Sequence, residues 1–136
     1  MTGSERGQST VLVLGLAILC FAVAGIAVDG TRAFIYRRSL QNAADSAAQA
    51  GASQLDALTY YRTGGDTVIV DEREARLAAE RSLNLRALPV DASLAIDDSG
   101  VQIVLRGTVT TSFLGLIGIR ELPVAVEARA EPIAGD

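Results

Sequence analysis

From Val11 to Val28 the chain reads VLVLGLAILCFAVAGIAV, and this stretch decides the architecture of the molecule. Its 18 residues carry no charge, and the thiol of Cys20 is their one polar side-chain group. With residues 7–10 the uncharged run reaches 22 residues. At about 1.5 Å per residue such a helix is roughly 33 Å long, close to the hydrocarbon thickness of a bilayer. We therefore predict a transmembrane helix over residues 9–28, after a short tail at residues 1–8.

Two other interpretations of the apolar run stay open at this point. One is a buried core helix of a soluble protein, although apolar runs in such helices are usually shorter. The other is a cleavable signal peptide, with Arg6 as its charged region and Ala22-Val23-Ala24 as its cleavage site. That interpretation predicts an exported binding domain released near Ala24. Against it, the chain stays apolar from Gly25 to Val28, where a signal peptide normally gives way to polar residues.

The composition of the whole chain limits the classes of function. Its net charge is −4 and aromatic residues make up 4% of it, with no basic block. Nucleic-acid binding requires clustered Lys and Arg, so we do not expect it. Histidine is absent, which removes the commonest general base and zinc ligand. We expect no enzyme activity, no catalytic residue, no metal, no cofactor and no small-molecule substrate.

Residues 29–62 predict a helix that continues out of the membrane. The stretch is rich in good helix formers, and Gly64-Gly65-Asp66 marks its end. Small residues recur in it at four-residue spacing, which permits close approach of another backbone. The two ladders are Ala43, Ala47 and Gly51, and Ala44, Ala48 and Ala52. They predict a packing seam for the protein's own sheet or for a partner helix, while alanine also simply favours helix.

Asp29 stands directly after the apolar run. It is spaced to pair with Arg32 three residues further along a helix. As a polar residue it also marks the boundary between lipid and water. Because charges at membrane depth are usually paired or functional, contact with a partner in the membrane is a third role.

Residues 63–136 predict a small α/β domain with one helix over 71–88. Beyond that helix the hydrophobic period changes from 3.6 to 2, which indicates strands at about 93–97, 101–111 and 122–131. In the last strand Val126 and Ala128 alternate with polar neighbours. One apolar and one polar face is typical of an antiparallel sheet packed on helices. The predicted fold class is α+β, with a long N-terminal helix, a second helix and a three-stranded antiparallel sheet.

The segment Phe113–Ile119, FLGLIGI, lies between the last two predicted strands. It is apolar, and Gly115 and Gly118 interrupt it. One interpretation is a connection folded over the edge or core of the sheet. The other is an exposed contact patch for a partner.

Several short motifs follow one another in the first part of the chain. They are Arg6-Gly7 before the apolar helix, Val28-Asp29-Gly30 at its end, then Arg37-Arg38, Leu40-Gln41, Asn42-Ala43-Ala44-Asp45 and Ala50-Gly51-Ala52. In this combination the stretch from residue 6 to residue 52, about a third of the chain, resembles the N-terminal region of TadE/TadG-like pilus assembly proteins.

The resemblance implies a pilin-like fold and a structural role. Such a protein is a minor, membrane-anchored component of a bacterial tight-adherence (Flp) pilus or a related secretion system. Its partners are the lipid bilayer and other pilus subunits, and its C-terminal domain lies outside the cytoplasmic membrane. The positive-inside rule points the other way, because Arg32, Arg37 and Arg38 follow the apolar run. The resemblance outweighs this arginine count, so we expect the C-terminal domain outside the cytoplasmic membrane, in conflict with the positive-inside rule.

Some members of this family are cut by a prepilin peptidase after a glycine, with a glutamate five residues beyond. The bond between Gly7 and Gln8 is the matching position here, and it places Leu12 where the glutamate would stand. Leucine supplies no carboxylate, so the resemblance does not predict processing at this bond. The TadG-like branch, which lacks such a site, is the closer match.

Overall fold

A computed structural model describes residues 4–54, 57–66, 68–84, 86 and 88–132 of the chain. The helices are α1 (Ser4–Ala52), α2 (Ala57–Arg62) and α3 (Glu72–Asn84), and the strands are β1 (Asp91–Asp97), β2 (Gly100–Thr110) and β3 (Glu121–Ala130). A 3₁₀ helix, Leu114–Ile117, lies between β2 and β3. The strands form one antiparallel sheet in the order β1-β2-β3. The predicted α+β fold class, with its long apolar helix and three-stranded sheet, is confirmed.

The helix predicted over residues 29–62 is interrupted. Helix α1 ends at Ala52, and α2 begins only at Ala57. At the break, the N–H of Gln54 donates to the carbonyl of Gly51, 3.0 Å away and three residues back, which tightens the turn. The carbonyl of Gln54 then accepts the N–H of Asp71 at 2.9 Å. This backbone group therefore bonds to the start of α3 instead of extending α1.

The other elements differ from their predicted bounds by a few residues. Helix α3 spans Glu72–Asn84 instead of 71–88. Its start is set by Asp71, whose Oδ1 accepts the N–H groups of Arg73 and Glu74 at 3.1 and 3.2 Å, as an N-cap residue does. Strand β1 begins earlier than predicted because its pairing with β2 extends to Asp91, opposite Arg106.

The chain divides into two compact units. The second unit runs over residues 35–108 and from 123 onward. Its core joins the second part of α1, helix α3 and the inner face of the sheet. The members of this core that are 0% exposed are Leu40, Ala43, Ala44, Ala47, Ala75, Ala79, Val101, Ile103 and Leu105. Alternate residues of β2 and β3 point into it, which is the period-two pattern of an antiparallel sheet with one covered face.

The first unit combines α1 up to Phe34 with Val109–Leu122. In it, the large apolar side chains of α1 are exposed, for example Leu12 at 68% and Phe21 at 74%. Among the described residues, α1 is the one helix that is long and apolar enough to span a membrane by length and composition. Because its apolar side chains are not buried in the protein, a soluble-core helix does not describe it.

Candidate functional site

The side chain of Asp29, in the first unit, is buried and only 1% exposed. Its Oδ1 accepts the N–H of Ser112 at 2.9 Å, and its Oδ2 accepts those of Phe113 at 2.8 Å and Leu114 at 2.7 Å. A buried carboxylate is costly unless it is hydrogen-bonded. Here these charge-assisted bonds compensate its burial, and they fix the start of the 3₁₀ helix against α1.

Gly25 lies one helical turn before Asp29, on the same face of α1. It is buried, and a Cβ atom built on it would stand 2.6 Å from both Cβ and Cγ of Phe113. Any larger residue would therefore displace the Phe113 side chain. The Phe113 side chain therefore packs directly against Gly25, and Asp29 binds the backbone N–H of Phe113.

Two further residues close the base of the connection between β2 and β3. Thr111 donates its N–H to the carbonyl of Arg120 at 2.9 Å and its hydroxyl to the carbonyl of Ile119. Arg32, one turn beyond Asp29, donates from Nη1 to the hydroxyl of Ser112 at 2.6 Å. The two ends of the connection are thus hydrogen-bonded to each other, and its first residues are hydrogen-bonded to α1.

The segment Phe113–Ile119, which we call the apolar loop, exposes most of its large side chains. Leu116 is 84% exposed and Ile117 is 74% exposed. The tip of the segment is therefore not buried over the core of the sheet, and contact with a partner at this exposed segment stays a prediction. The combination of a tightly held base and an exposed apolar tip makes this the candidate interaction site.

The role of Asp29 differs from the simplest predicted one. The sequence spacing suggested an ion pair with Arg32, but the carboxylate oxygens take backbone N–H groups of residues 112–114 while Arg32 donates to Ser112. Sequence analysis missed Gly25 and Ser112 altogether. The available signal was a glycine one turn before an aspartate at the end of an apolar helix.

The small-residue seam lies in the second unit. Ala43, Ala44 and Ala47 are 0% exposed, and Ala48 is 1% exposed. A Cβ atom on Gly51 would stand 3.1 Å from a methyl group of Val101 and 3.2 Å from the carbonyl oxygen of Ala75. The seam therefore packs against the protein's own sheet and α3. A partner helix has no access to it while this unit stays folded.

The structure adds little to the remaining site predictions. Gly7 and Gln8 are exposed on α1, and the expectation that the bond between them is not cut stays a prediction. Within the described ranges, no three or more acidic or cysteine residues are grouped so that they could hold a metal ion.

Comparison with known proteins identifies the N-terminal segment. The model of the Tad family, described as "Putative Flp pilus-assembly TadE/G-like", matches residues 7–54. The match covers about a third of the 136 residues and nearly all of α1. No curated protein and no solved structure matches the chain. The resemblance found in the sequence is confirmed for this segment, which includes Asp29 and the seam, while the sheet and the apolar loop lie outside it.

Proposed function

We propose that the protein is a single-pass, membrane-anchored structural component of a tight-adherence (Flp) pilus or a related secretion system, with a minor pilin-like role and no catalytic activity. One observation carries the proposal. The segment that matches the pilus-assembly family coincides with one continuous helix, whose first part exposes its apolar side chains and whose second part is packed in a folded unit.

The first part of α1 is chemically suited to a permanent anchor. Between residues 11 and 28 it carries 11 Leu, Ile, Val or Phe residues. Each contributes roughly 0.3–0.6 kcal/mol to insertion at the centre of a span, so together they favour insertion by about 3–7 kcal/mol. Helix α1 continues to Ala52 with no break at the end of this run.

Contacts with other subunits would involve exposed parts of α1, because the seam is occupied. Phe34 is 67% exposed and Ile35 is 61% exposed, both shortly beyond the apolar run. Large apolar residues at such positions favour lateral packing against neighbouring subunits at the membrane surface. Assembly by burial of this kind requires no cofactor.

The anchor and the partners can be tested in cells that make the pilus. A photo-crosslinking residue at Phe34 is expected to trap pilus subunits, and the full-length chain is expected to stay in the membrane fraction after an alkaline wash. The same residue at Tyr61, which is 82% exposed on α2, is the control for exposure away from α1. Release of the chain by the wash, or crosslinks to proteins unrelated to the pilus, would contradict the proposal.

The intact mass separates the anchor from the signal-peptide alternative. A permanent anchor predicts a product that retains residues 9–28, whereas signal cleavage after Ala24 predicts a product that begins at Gly25. Helix α1 is continuous through Ala24 and Gly25, as a retained span requires.

We place the C-terminal domain outside the cytoplasmic membrane, as the family resemblance implies. A protease that cannot cross the membrane is then expected to digest the sheet and α3 in intact spheroplasts. If the domain were protected until the cells are lysed, this placement would be overturned. That result would favour a C-terminal domain in the cytoplasm, which the arginines at 32, 37 and 38 suggest.

A further inference from the structure

We propose that the apolar loop, Phe113–Ile119, inserts into the surface of the bilayer beside α1 and makes a second membrane contact within the first unit. The inference rests on the proposed anchor, because the loop is held to α1 at the point where the apolar run ends. In this proposal the exposed loop contacts lipid, and not a second copy of the chain or another protein.

The level of the loop along α1 is set by Gly25 and Asp29. Phe113 rests on Gly25, which belongs to the apolar run, whereas Asp29 follows that run. These two residues are four positions apart, which is about 6 Å along a helix axis. A helix that spans the bilayer up to residue 28 therefore carries Phe113 to a depth where its own side chains lie in hydrocarbon.

The exposed surface of the loop is apolar without interruption. Residues 113–119 contain no charged side chain and no polar one. Leu116 and Ile117 lie at its tip, and each exposes about three quarters or more of its surface. Such a tip is unfavourable in water and favourable in the outer part of a bilayer, where amphipathic elements lie with their apolar side in the acyl region.

Backbone N–H groups of the loop form hydrogen bonds within the protein, as a low-dielectric environment requires. A segment in contact with lipid must satisfy its own N–H and C=O groups, because no water is available to them. The N–H groups of Phe113 and Leu114 bond to Asp29. Those of Leu116, Gly118 and Ile119 bond to carbonyls within the loop, at 3.1, 3.2 and 3.0 Å. These five N–H groups are thus paired within the protein, as contact with lipid requires of them.

Charged residues mark the limits of insertion. Arg120 follows the loop directly and is exposed, and Arg32 lies one turn beyond Asp29 with its guanidinium on Ser112. Arginine side chains at such positions can reach the phosphate groups of lipids while apolar neighbours stay in the acyl layer. We therefore expect Arg120 and Arg32 to lie on the water side of the inserted loop.

The absence of tryptophan from the sequence allows a direct test. Ile117→Trp places a single fluorophore at the exposed tip, and Leu116→Trp is an independent second probe. Tyr61→Trp is the matched control, because Tyr61 is a similarly exposed residue on a helix of the second unit. The full-length variants are reconstituted into vesicles of phosphatidylethanolamine and phosphatidylglycerol, with and without bromine on the acyl chains.

The expected result is a blue-shifted emission from both loop probes and the loss of most of their fluorescence in brominated vesicles. The control is expected to emit as in water and to keep its intensity. Unquenched, water-like emission from both loop probes would overturn the inference. So would a blue shift without bromine quenching, which indicates cover by protein, or equal quenching of the control, which indicates general adsorption.

Flotation of the same vesicles separates this inference from the anchor on which it rests. If the chain floats with the vesicles and the loop probes stay unquenched, the anchor stands and the loop proposal fails. If the chain does not float, both fail.

Discussion

The two parts of α1 are both rich in apolar residues, yet the first part exposes large side chains and the second part buries small ones. Before Phe34 the helix exposes leucines, valines and isoleucines, such as Leu16 at 57%. From Leu40 to Ala52 it buries mainly alanines, several of which are 0% exposed. One continuous helix therefore presents large side chains outward in its first part and small ones inward in its second.

This contrast shows how side-chain size separates two environments. A lipid-facing surface needs bulk apolar area and no shape match, because acyl chains adapt to it. A seam against a sheet needs small side chains, because the distance between backbones is set by what lies between them. The content of apolar residues alone does not distinguish a lipid-facing surface from a seam against a sheet.

The largest expected effect comes from filling the seam. The double variant Ala47→Leu, Gly51→Leu adds side chains where Gly51 already lies against Val101 and α3. Overpacking costs about 1–3 kcal/mol at each position, so we expect the second unit to lose about 2–6 kcal/mol of stability, as measured by urea unfolding of the full chain in detergent.

The matched control makes the same changes in the first part of the helix. Ala17 and Gly15 are exposed, and a Cβ atom on Gly15 would meet nothing within 4 Å. Ala17→Leu with Gly15→Leu should leave the urea midpoint unchanged and should strengthen membrane retention. Equal loss of stability in both double variants would show that the two parts of α1 do not differ as described.

A smaller and local effect is expected at Asp29. Asp29→Ala removes the acceptor of three backbone N–H groups, and charge-assisted hydrogen bonds contribute about 1.5–3 kcal/mol each where water is excluded. Water can replace part of the lost hydrogen bonding. We therefore expect hydrogen exchange in residues 109–122 to accelerate by about tenfold, which corresponds to about 1.4 kcal/mol. The second unit should keep its urea midpoint.

The control for this change is Asp45→Ala, which removes an exposed carboxylate from the same helix. Asp45 accepts a hydrogen bond from Gln41 at 3.0 Å, a contact on the surface of α1. Its loss should leave exchange in residues 109–122 unchanged. If Asp45→Ala accelerated that exchange as much as Asp29→Ala does, the buried carboxylate would not be the group that holds the loop.

The smallest effect is expected at the turn between β1 and β2. The hydroxyl and N–H of Ser99 donate to Asp97 Oδ1, and these bonds hold the pKa of Asp97 below its ordinary value of 3.8. A carboxyl group with a lowered folded-state pKa stabilises the fold above its ordinary pKa and loses that contribution as the pH falls through the lowered value. Asp97→Asn should therefore lower the melting temperature slightly at neutral pH, and the difference from the wild-type chain should vanish in acid.

The neighbouring Asp98→Asn serves as the control for this turn, because the bonds from Ser99 go to Asp97. A pH dependence that Asp98→Asn removed and Asp97→Asn left intact would contradict the assignment.

Local patterns were sufficient for the apolar helix, helix α3 and the three strands. The apolar run from Val11 to Val28 has the length and composition of a span, and the period-two alternation around Val126 predicts a strand with one buried face. The break after Ala52 could not be predicted in this way. At the break, the carbonyl of Gln54 accepts a hydrogen bond from the N–H of Asp71, which lies on a different segment of the chain.

The candidate site shows the same limit. From the sequence, Asp29 was a charged residue at the end of an apolar helix, and Phe113–Ile119 was an apolar segment with two open interpretations. Their connection runs across more than 80 residues, from the carboxylate to the N–H groups of Ser112 and Leu114. A side chain's local pattern carries no information about which distant backbone groups it will meet.

The sequence by itself determined that α1 is a long apolar helix, that a small antiparallel sheet follows, and that the first third of the chain resembles a pilus-assembly family. These follow from composition, periodicity and short motifs, which act over neighbouring residues. Only the tertiary structure decided that the seam packs on the protein's own sheet and that Asp29 holds the apolar loop beside Gly25. The physical reason is that close packing and the pairing of buried polar groups depend on which distant segments meet in space.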